Sequence, residues 1–153
     1  MPLVTRMSKG RALTFQELDG NFLYLDAKLT PVTGSVDADA FADTNIIFGR
    51  LLSQTATGVT HYDATNINHR GTLAGIAMNS TVAGGPVRVR PTRSMIKLPG
   101  MGLLPGMLYM AGPDGQLVPS TYVLPLAFNQ AMGRALSTEA ILFAPTLPIK
   151  TTF

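Results

Sequence analysis

Short apolar runs separated by turn-forming residues dominate the chain from residue 71 onward, and they constrain the fold more than any other feature. The predicted strands lie at 72–78, 86–90, 94–98, 107–110, 116–118, 126–132 and 141–144. Several short strands at such spacing are typical of an all-β sandwich or barrel. The clearest hairpin spans 107–118, where Pro113-Asp114-Gly115 combines a preset φ with a residue that accepts positive φ. The sequence therefore predicts a mainly β protein.

One α-helix is predicted near the N-terminus, at 13–29. Thr14 and Glu17 form a capping box, in which both side chains satisfy main-chain donors at the helix start. Apolar side chains then recur at spacings of three and four, which is the rhythm of a coiled-coil seam: Phe15, Leu18, Phe22, Leu25 and Leu29. Pro31 ends the helix. Because so short a helix is marginal alone, we expect it to serve in trimerisation or docking.

The chain divides into three predicted parts. Residues 1–30 hold the helix and, before it, an arm whose basic residues are Arg6, Lys9 and Arg11. Residues 31–70 are predicted to be a linker with short strands at 45–52 and 59–62, because the segment 30–45 mixes Pro, Gly, Ser and Asp. Residues 71–153 form the β domain, a small β-sandwich or barrel-like unit.

The composition indicates burial against other chains. Charged residues make up 14% of the sequence, against about 25% in a typical soluble domain, while 46% of the residues are apolar. We therefore expect a homotrimer. No run of about 20 apolar residues is present, so a membrane is not an expected partner.

The second half of the chain is basic. Residues 64–153 carry seven Lys and Arg against two Asp and Glu. Arg88 and Arg90 alternate with Val87 and Val89, so a strand would present both guanidinium groups on one face. Nucleic acid is not an expected partner, because stacking aromatic residues are missing nearby. The favoured reading is a polar strand face that pairs with Asp or Glu of a neighbouring chain.

One cluster has metal-ligand residue types, namely His61, Asp63 and His69. Imidazole nitrogen and a carboxylate suit zinc and other transition metals, and a metal on a symmetry axis would need one ligand per chain. The alternative is a set of polar surface or interface contacts, which the loose spacing favours. No catalytic or phosphate-binding pattern is recognised, so we expect neither an enzyme nor a cofactor.

Two segments carry a family resemblance. The first fits the pattern Leu-Thr-x-x-Glu-Leu-Asp-x-Asn-Phe-x-x-Leu through Leu13, Thr14, Glu17, Leu18, Asp19, Asn21, Phe22 and Leu25. It resembles a motif near the N-terminus of many tail-fibre and baseplate-associated proteins of tailed bacteriophages. The second covers 84–118 and 132–145, and it resembles a small β domain of phage fibre and virion proteins.

The resemblance implies a virion structural protein, assembled in the bacterial host cytoplasm, whose arm and helix dock into a baseplate or another virion protein. The apolar helix residues would line a three-helix seam or the docking contact; alternatively, they pack the helix against its own β domain. A capsid decoration or head-fibre protein is the alternative function. A carbohydrate-binding module is a more remote one, since Trp is absent.

Overall fold

The computed structural model describes residues 37–91, 93–123 and 125–151, and its strands are numbered along those residues. The first sheet contains β1 Ala38–Phe41, β2 Leu51–Gln54, β3 Val59–His61, β4 Leu73–Ala77 and β5 Pro86–Arg90. The second sheet contains β6 Ser94–Lys97, β7 Leu108–Ala111, β8 Leu117–Pro119, β10 Ala131–Ser137 and β11 Ala140–Phe143. A two-stranded ribbon joins β9 Phe128–Asn129 to β12 Ile149–Lys150. The prediction of a mainly β fold is confirmed.

All strand pairs in these sheets are antiparallel. The strand order is β1-β5-β4-β2-β3 in the first sheet and β6-β11-β10-β7-β8 in the second. Since β2 pairs with β4 and β1 pairs with β5, the first sheet draws strands from both sides of residue 70. Two 3-10 helices, Ile67–His69 and Pro113–Gly115, lie in loops.

The two sheets share an apolar core. Alternation along each strand turns one set of side chains inward, and these residues include Leu51, Tyr62, Ile76, Ile96, Tyr109, Phe128, Ile141 and Phe143. A separate apolar cluster covers the other face of the first sheet: Ala42, Ile46, Leu52, Val59, Ala77, Val87 and Val89. The arrangement is sandwich-like, and the inner strands β2 and β4 of the first sheet have buried residues on both faces.

The predicted hairpin is confirmed. Strands β7 and β8 pair on either side of a turn in which Asp114 has φ of 49° and Gly115 has φ of 72°. A Cβ atom on Gly115 would lie 2.6 Å from the main-chain oxygen of Leu51, so a side chain has no room there. The turn is therefore held close against β2.

The predicted strands from residue 72 onward each overlap an observed strand, with two differences. The run 126–132 is divided at Gln130 into β9 and the start of β10, and most of β10, residues 133–137, was not predicted. Strand β12 was not predicted either. Buried Gln130 accepts a 2.6 Å hydrogen bond from the hydroxyl of Tyr62, and its Nε2 donates to the main-chain oxygen of Thr146 at 2.6 Å. Local sequence does not reveal these distant partners.

Among the described residues, no helix is both long enough and apolar enough to span a membrane bilayer.

Candidate functional site

A polar pocket lies where β3 meets two loops and the tip of the β7–β8 hairpin. Its volume is about 440 Å³. The residues that line it come from distant parts of the chain: Thr44, Asn45, Thr60, His61, Asp63, His69 and Asp114. The structure thus brings together the three residues that the sequence grouped as a cluster, His61, Asp63 and His69.

Asp114 links the hairpin tip to the first sheet. Its Oδ1 lies 2.8 Å from His61 Nδ1, and Arg50 Nη1 donates to its Oδ2 at 3.2 Å. The same guanidinium nitrogen donates to the main-chain oxygen of Asp114 at 2.7 Å. Because Arg50 immediately precedes β2, this contact holds the turn against the sheet and places a positive charge beside the carboxylate.

Both ring nitrogens of His61 are engaged by the protein. The main-chain N–H of Ile47 donates to Nε2 at 3.3 Å, so in the neutral ring the proton lies on Nδ1 and is donated to Asp114. A His–Asp pair of this kind acts in general-base catalysis when the second nitrogen faces a substrate. Here Nε2 is taken up by the main chain, so the pair holds the pocket wall in place.

His69 forms another wall of the pocket. It ends the 3-10 helix Ile67–His69, and its Nδ1 accepts a 2.9 Å hydrogen bond from the main-chain N–H of Asp63. The ring stacks on Tyr62, with centroids 6.3 Å apart, and burial raises the pKa of the Tyr62 hydroxyl. Because Nδ1 of His69 accepts a hydrogen bond, the proton of the neutral ring lies on Nε2, which can act as a hydrogen-bond donor.

Asp63 contributes the second carboxylate of the pocket. Its Oδ1 accepts hydrogen bonds from the main-chain N–H of Thr65 at 2.8 Å and from the Thr65 hydroxyl at 2.6 Å. These two bonds fix the carboxylate within its own turn. Within the described part of the chain, no protein group donates to its Oδ2.

The geometry bears on the metal alternative for His61, Asp63 and His69. Across residues 37–91, 93–123 and 125–151, no group of three or more His, Asp or Glu side chains is arranged to hold a metal ion. Nδ1 of both histidines is already hydrogen-bonded to the protein. In this structure, the three side chains therefore make polar contacts within their own chain.

Sequence reasoning missed Asp114 and Arg50 as members of this site. The Pro113-Asp114-Gly115 signal did place Asp114 at a hairpin tip, but it gave no information about what the tip contacts. His61 precedes Asp114 by 53 positions, so their contact depends on how the two sheets pack.

The predicted basic strand face is formed by β5. Val87 and Val89 are buried, while Arg88 is exposed and Arg90 is half-buried on the other face. Arg90 pairs with Asp37 of the same chain: its Nε and Nη2 donate to the two carboxylate oxygens. These hydrogen bonds hold the pKa of Asp37 below its ordinary value and raise that of Arg90. The partner of Arg90 is thus internal, where the sequence analysis expected a neighbouring chain.

A second surface lies on the outer face of the second sheet. Met95, Leu142, Arg134 and Leu108 are successive register partners on β6, β11, β10 and β7, and we call them the outer row. Met95 is 58% exposed and Leu142 is 47% exposed. Nη1 of Arg134 donates to the main-chain oxygen of Gly106, so its charged end is engaged by the protein itself.

The predicted docking and arm residues cannot be placed on this structure. The helix cap Thr14 and Glu17 lies outside the described residues. So do the stripe and the basic arm: Phe15, Leu18, Phe22, Leu25, Leu29, Arg6, Lys9 and Arg11. Their roles stay predictions.

Comparison with known proteins adds no assignment to this geometry. No protein-family model matches the chain, and no curated protein gives a significant match to it.

Proposed function

We propose that this chain is a structural component of a bacteriophage virion, a trimeric tail-fibre or baseplate-associated protein that docks through its N-terminal helix. The tail assignment comes from the sequence resemblance at 13–25 and in the β domain. The observation that supports assembly is the outer row, in which the neighbouring apolar side chains of Met95 and Leu142 are left exposed by the described part of the chain.

The geometry of the outer row supports contact with other copies of the chain. Side chains that face one another on neighbouring strands have Cβ atoms about 4.5–5.5 Å apart, so Met95 and Leu142 form one continuous surface. Leu136, further along β10, is 51% exposed. Contiguous apolar patches mark interaction sites, whereas single exposed apolar residues are ordinary. The low content of charged residues fits the same view.

The first experiment measures the mass of the full chain by light scattering. We expect a mass near three times the 16.3 kDa of one chain. Phe22→Asp places a charge in the predicted helix seam, and Leu142→Asp places one in the outer row, so each is expected to reduce the trimer population. Desolvating an unpaired carboxylate in an apolar contact is the physical reason.

Two matched variants serve as controls. Gln16→Asp adds the same charge to the helix away from its apolar stripe, and Val82→Asp adds it to a loop residue of the first sheet that is 69% exposed. Both should retain the wild-type mass. A wild-type chain that is a stable, folded monomer would overturn the proposed trimer.

The second experiment tests purified phage particles for the protein by immunoblot and locates it on them with gold-conjugated antibody and electron microscopy. Gold at the tail end is the expected result. Gold over the capsid would instead assign the chain to the capsid decoration or head-fibre class. Particles whose denatured proteins include no such chain would remove the virion role altogether.

A further inference from the structure

A single arginine lies in the middle of the outer row. Arg134 has Leu142 on one side and Leu108 on the other as its register partners. Its Nη1 donates to the main-chain oxygen of Gly106, a neutral acceptor that fixes the direction of the guanidinium. None of the ion pairs among the described residues includes Arg134. An exposed cation without a carboxylate partner therefore lies between two leucine side chains.

Covering the outer row would take this cation out of water. A charge that loses its water costs free energy unless an opposite charge and hydrogen bonds replace it. The guanidinium is a planar fork of five N–H donors, and the described residues take no hydrogen bond from Nε or Nη2 of Arg134. That edge of the fork can bind a carboxylate through two parallel hydrogen bonds. The partner of the outer row must therefore supply an acidic residue.

The second sheet carries one acidic residue that can take this role. Residues 94–143 contain two carboxylates, Asp114 and Glu139. Asp114 is already paired with Arg50 and His61 at the first sheet. Glu139 lies in the exposed turn between β10 and β11, and none of the ion pairs among the described residues includes it. A second copy of the chain would thus bring a carboxylate whose charge complements Arg134.

Arg134 and Glu139 do not meet within one chain. Strand β10 continues from Arg134 to Ser137, which is a length of about 10 Å, and Glu139 lies in the turn beyond its end. The guanidinium is meanwhile held towards Gly106, in the loop that precedes β7. An ion pair between these two residues therefore requires two chains.

We propose that Glu139 of one copy binds the Arg134 guanidinium of the next copy. The occupant of the outer row is a second copy because the same sheet supplies both charges, at separate places, beside the exposed apolar side chains of Met95 and Leu142. A contact between unlike parts of the surface can repeat head to tail and close a ring. The inference rests on the proposed assembly into a trimer and adds the ion pair that selects the partner.

The first test measures the mass of the full chain by light scattering over a range of concentrations. Glu139→Gln removes the charged acceptor and should weaken association about tenfold. Glu139→Lys places a second cation opposite Arg134 and should weaken association about a hundredfold. The matched control is Asp39→Asn, which neutralises an exposed carboxylate on β1 of the first sheet and should associate as the wild type does.

Exchanging the two charges gives the sharpest result. Arg134→Glu alone should weaken association, since it places two carboxylates in contact. Arg134→Glu combined with Glu139→Lys restores opposite charges and should recover most of the wild-type mass. Circular dichroism identifies the variants that are folded. A folded double variant that associates no better than either single variant would overturn the pair.

Chemical cross-linking tests the contact without relying on Arg134→Glu. In Arg134→Lys the charge is kept, and a carbodiimide joins the new amine to a carboxylate that touches it, with loss of water to the reagent. Chains labelled with 14N and 15N are mixed, unfolded and refolded together. We expect linked peptides that contain positions 134 and 139 and carry both labels. Adding Glu139→Gln should abolish this link.

The outcomes separate this inference from the proposed trimer. A wild-type chain that is monomeric at every concentration would overturn both. A trimeric wild type whose mass is unchanged in Glu139→Lys would overturn the ion pair alone. Links between positions 134 and 139 that carry only one label would place the contact within a chain and overturn the proposal. Links from Glu139 to Lys97 alone would do so as well, because they would assign the carboxylate to another cation.

Discussion

The two five-stranded sheets differ in how many of their apolar side chains are buried on each face. In the first sheet, Leu51 packs into the core between the sheets while its neighbour Leu52 packs into the second cluster on the opposite face. In the second sheet, Ile141 and Phe143 are buried, but Leu142 between them is 47% exposed. Apolar residues thus occupy both faces of both sheets, but among the described residues both faces are covered only at β2 and β4 of the first sheet. Contact of the second sheet's outer face with another copy of the chain is therefore the part of the proposed function that this difference supports.

A loop supplies the missing layer of the first sheet. Ala42 and Ile46 follow β1 and are 2% exposed each, within the cluster that covers Leu52. Ile46 exchanges main-chain hydrogen bonds with Thr81, at 2.8 Å and 3.0 Å, which fixes this loop across the sheet. A segment with linker-like composition can therefore complete a core.

The largest expected effect comes from substituting a glycine at which two strands lie very close together, a feature that both sheets share. A Cβ on Gly133 would lie 1.9 Å from the main-chain oxygen of Leu142, and φ there is 156°. Gly133→Ala should lower the free energy of unfolding by about 4 kcal/mol or more, measured by urea denaturation. In Gly100→Ala, where φ is 78° but no atom lies within 4 Å, the loss should be about 1 kcal/mol. Similar losses in both variants would contradict this account of the strand contact.

The next prediction sharpens the contrast between covered and uncovered faces. Leu52→Ala leaves a cavity beneath the loop and should lower the free energy of unfolding by about 3 kcal/mol. Leu142→Ala, at an equivalent strand position on the uncovered face, should change it by less than about 0.5 kcal/mol in dilute solution. Denaturation at several protein concentrations makes the measurement. If Leu142→Ala costs as much as Leu52→Ala at every concentration, the outer face is covered within one chain.

The smallest effect concerns the edge of the first sheet. Arg90 lowers the pKa of Asp37 in the folded chain, so the pair stabilises the fold above the ordinary Asp pKa of about 3.9 and loses that contribution as pH falls through the lower folded value. Asp37→Asn should therefore cost less than about 1 kcal/mol at neutral pH, and the difference from wild type should vanish in acid. Thermal unfolding across pH measures this. Asp39→Asn, an exposed carboxylate on the same strand, should show a smaller change.

Local patterns predicted much of the fold because they act over a few residues. The Pro113-Asp114-Gly115 turn sets its own φ angles, and alternation in Pro86–Arg90 separates buried Val from Arg without reference to the rest of the chain. The pairing of β2 with β4 and the internal partner of Arg90 were not predicted. Each joins residues whose separation along the chain is too large for local conformation to bring them together.

The candidate site shows the same limit. The sequence grouped His61, Asp63 and His69 because they are neighbours with ligand-type side chains, and all three do line one pocket. It could not add Asp114, which reaches His61 only when the hairpin tip packs against the first sheet. Nor could it show that the main-chain N–H of Ile47 donates a hydrogen bond to Nε2 of His61, so that this nitrogen already has a partner within the protein.

By itself, the sequence determined the β class, most of the strand positions after residue 72 and the principal hairpin, since backbone preferences and side-chain alternation are local properties. The tertiary structure alone decided which strands are neighbours, which sheet face the described residues leave exposed and which polar side chains line the pocket. Those outcomes depend on how two sheets and a covering loop pack together. Packing is set by the combined shape of distant residues, so no short stretch of sequence contains it.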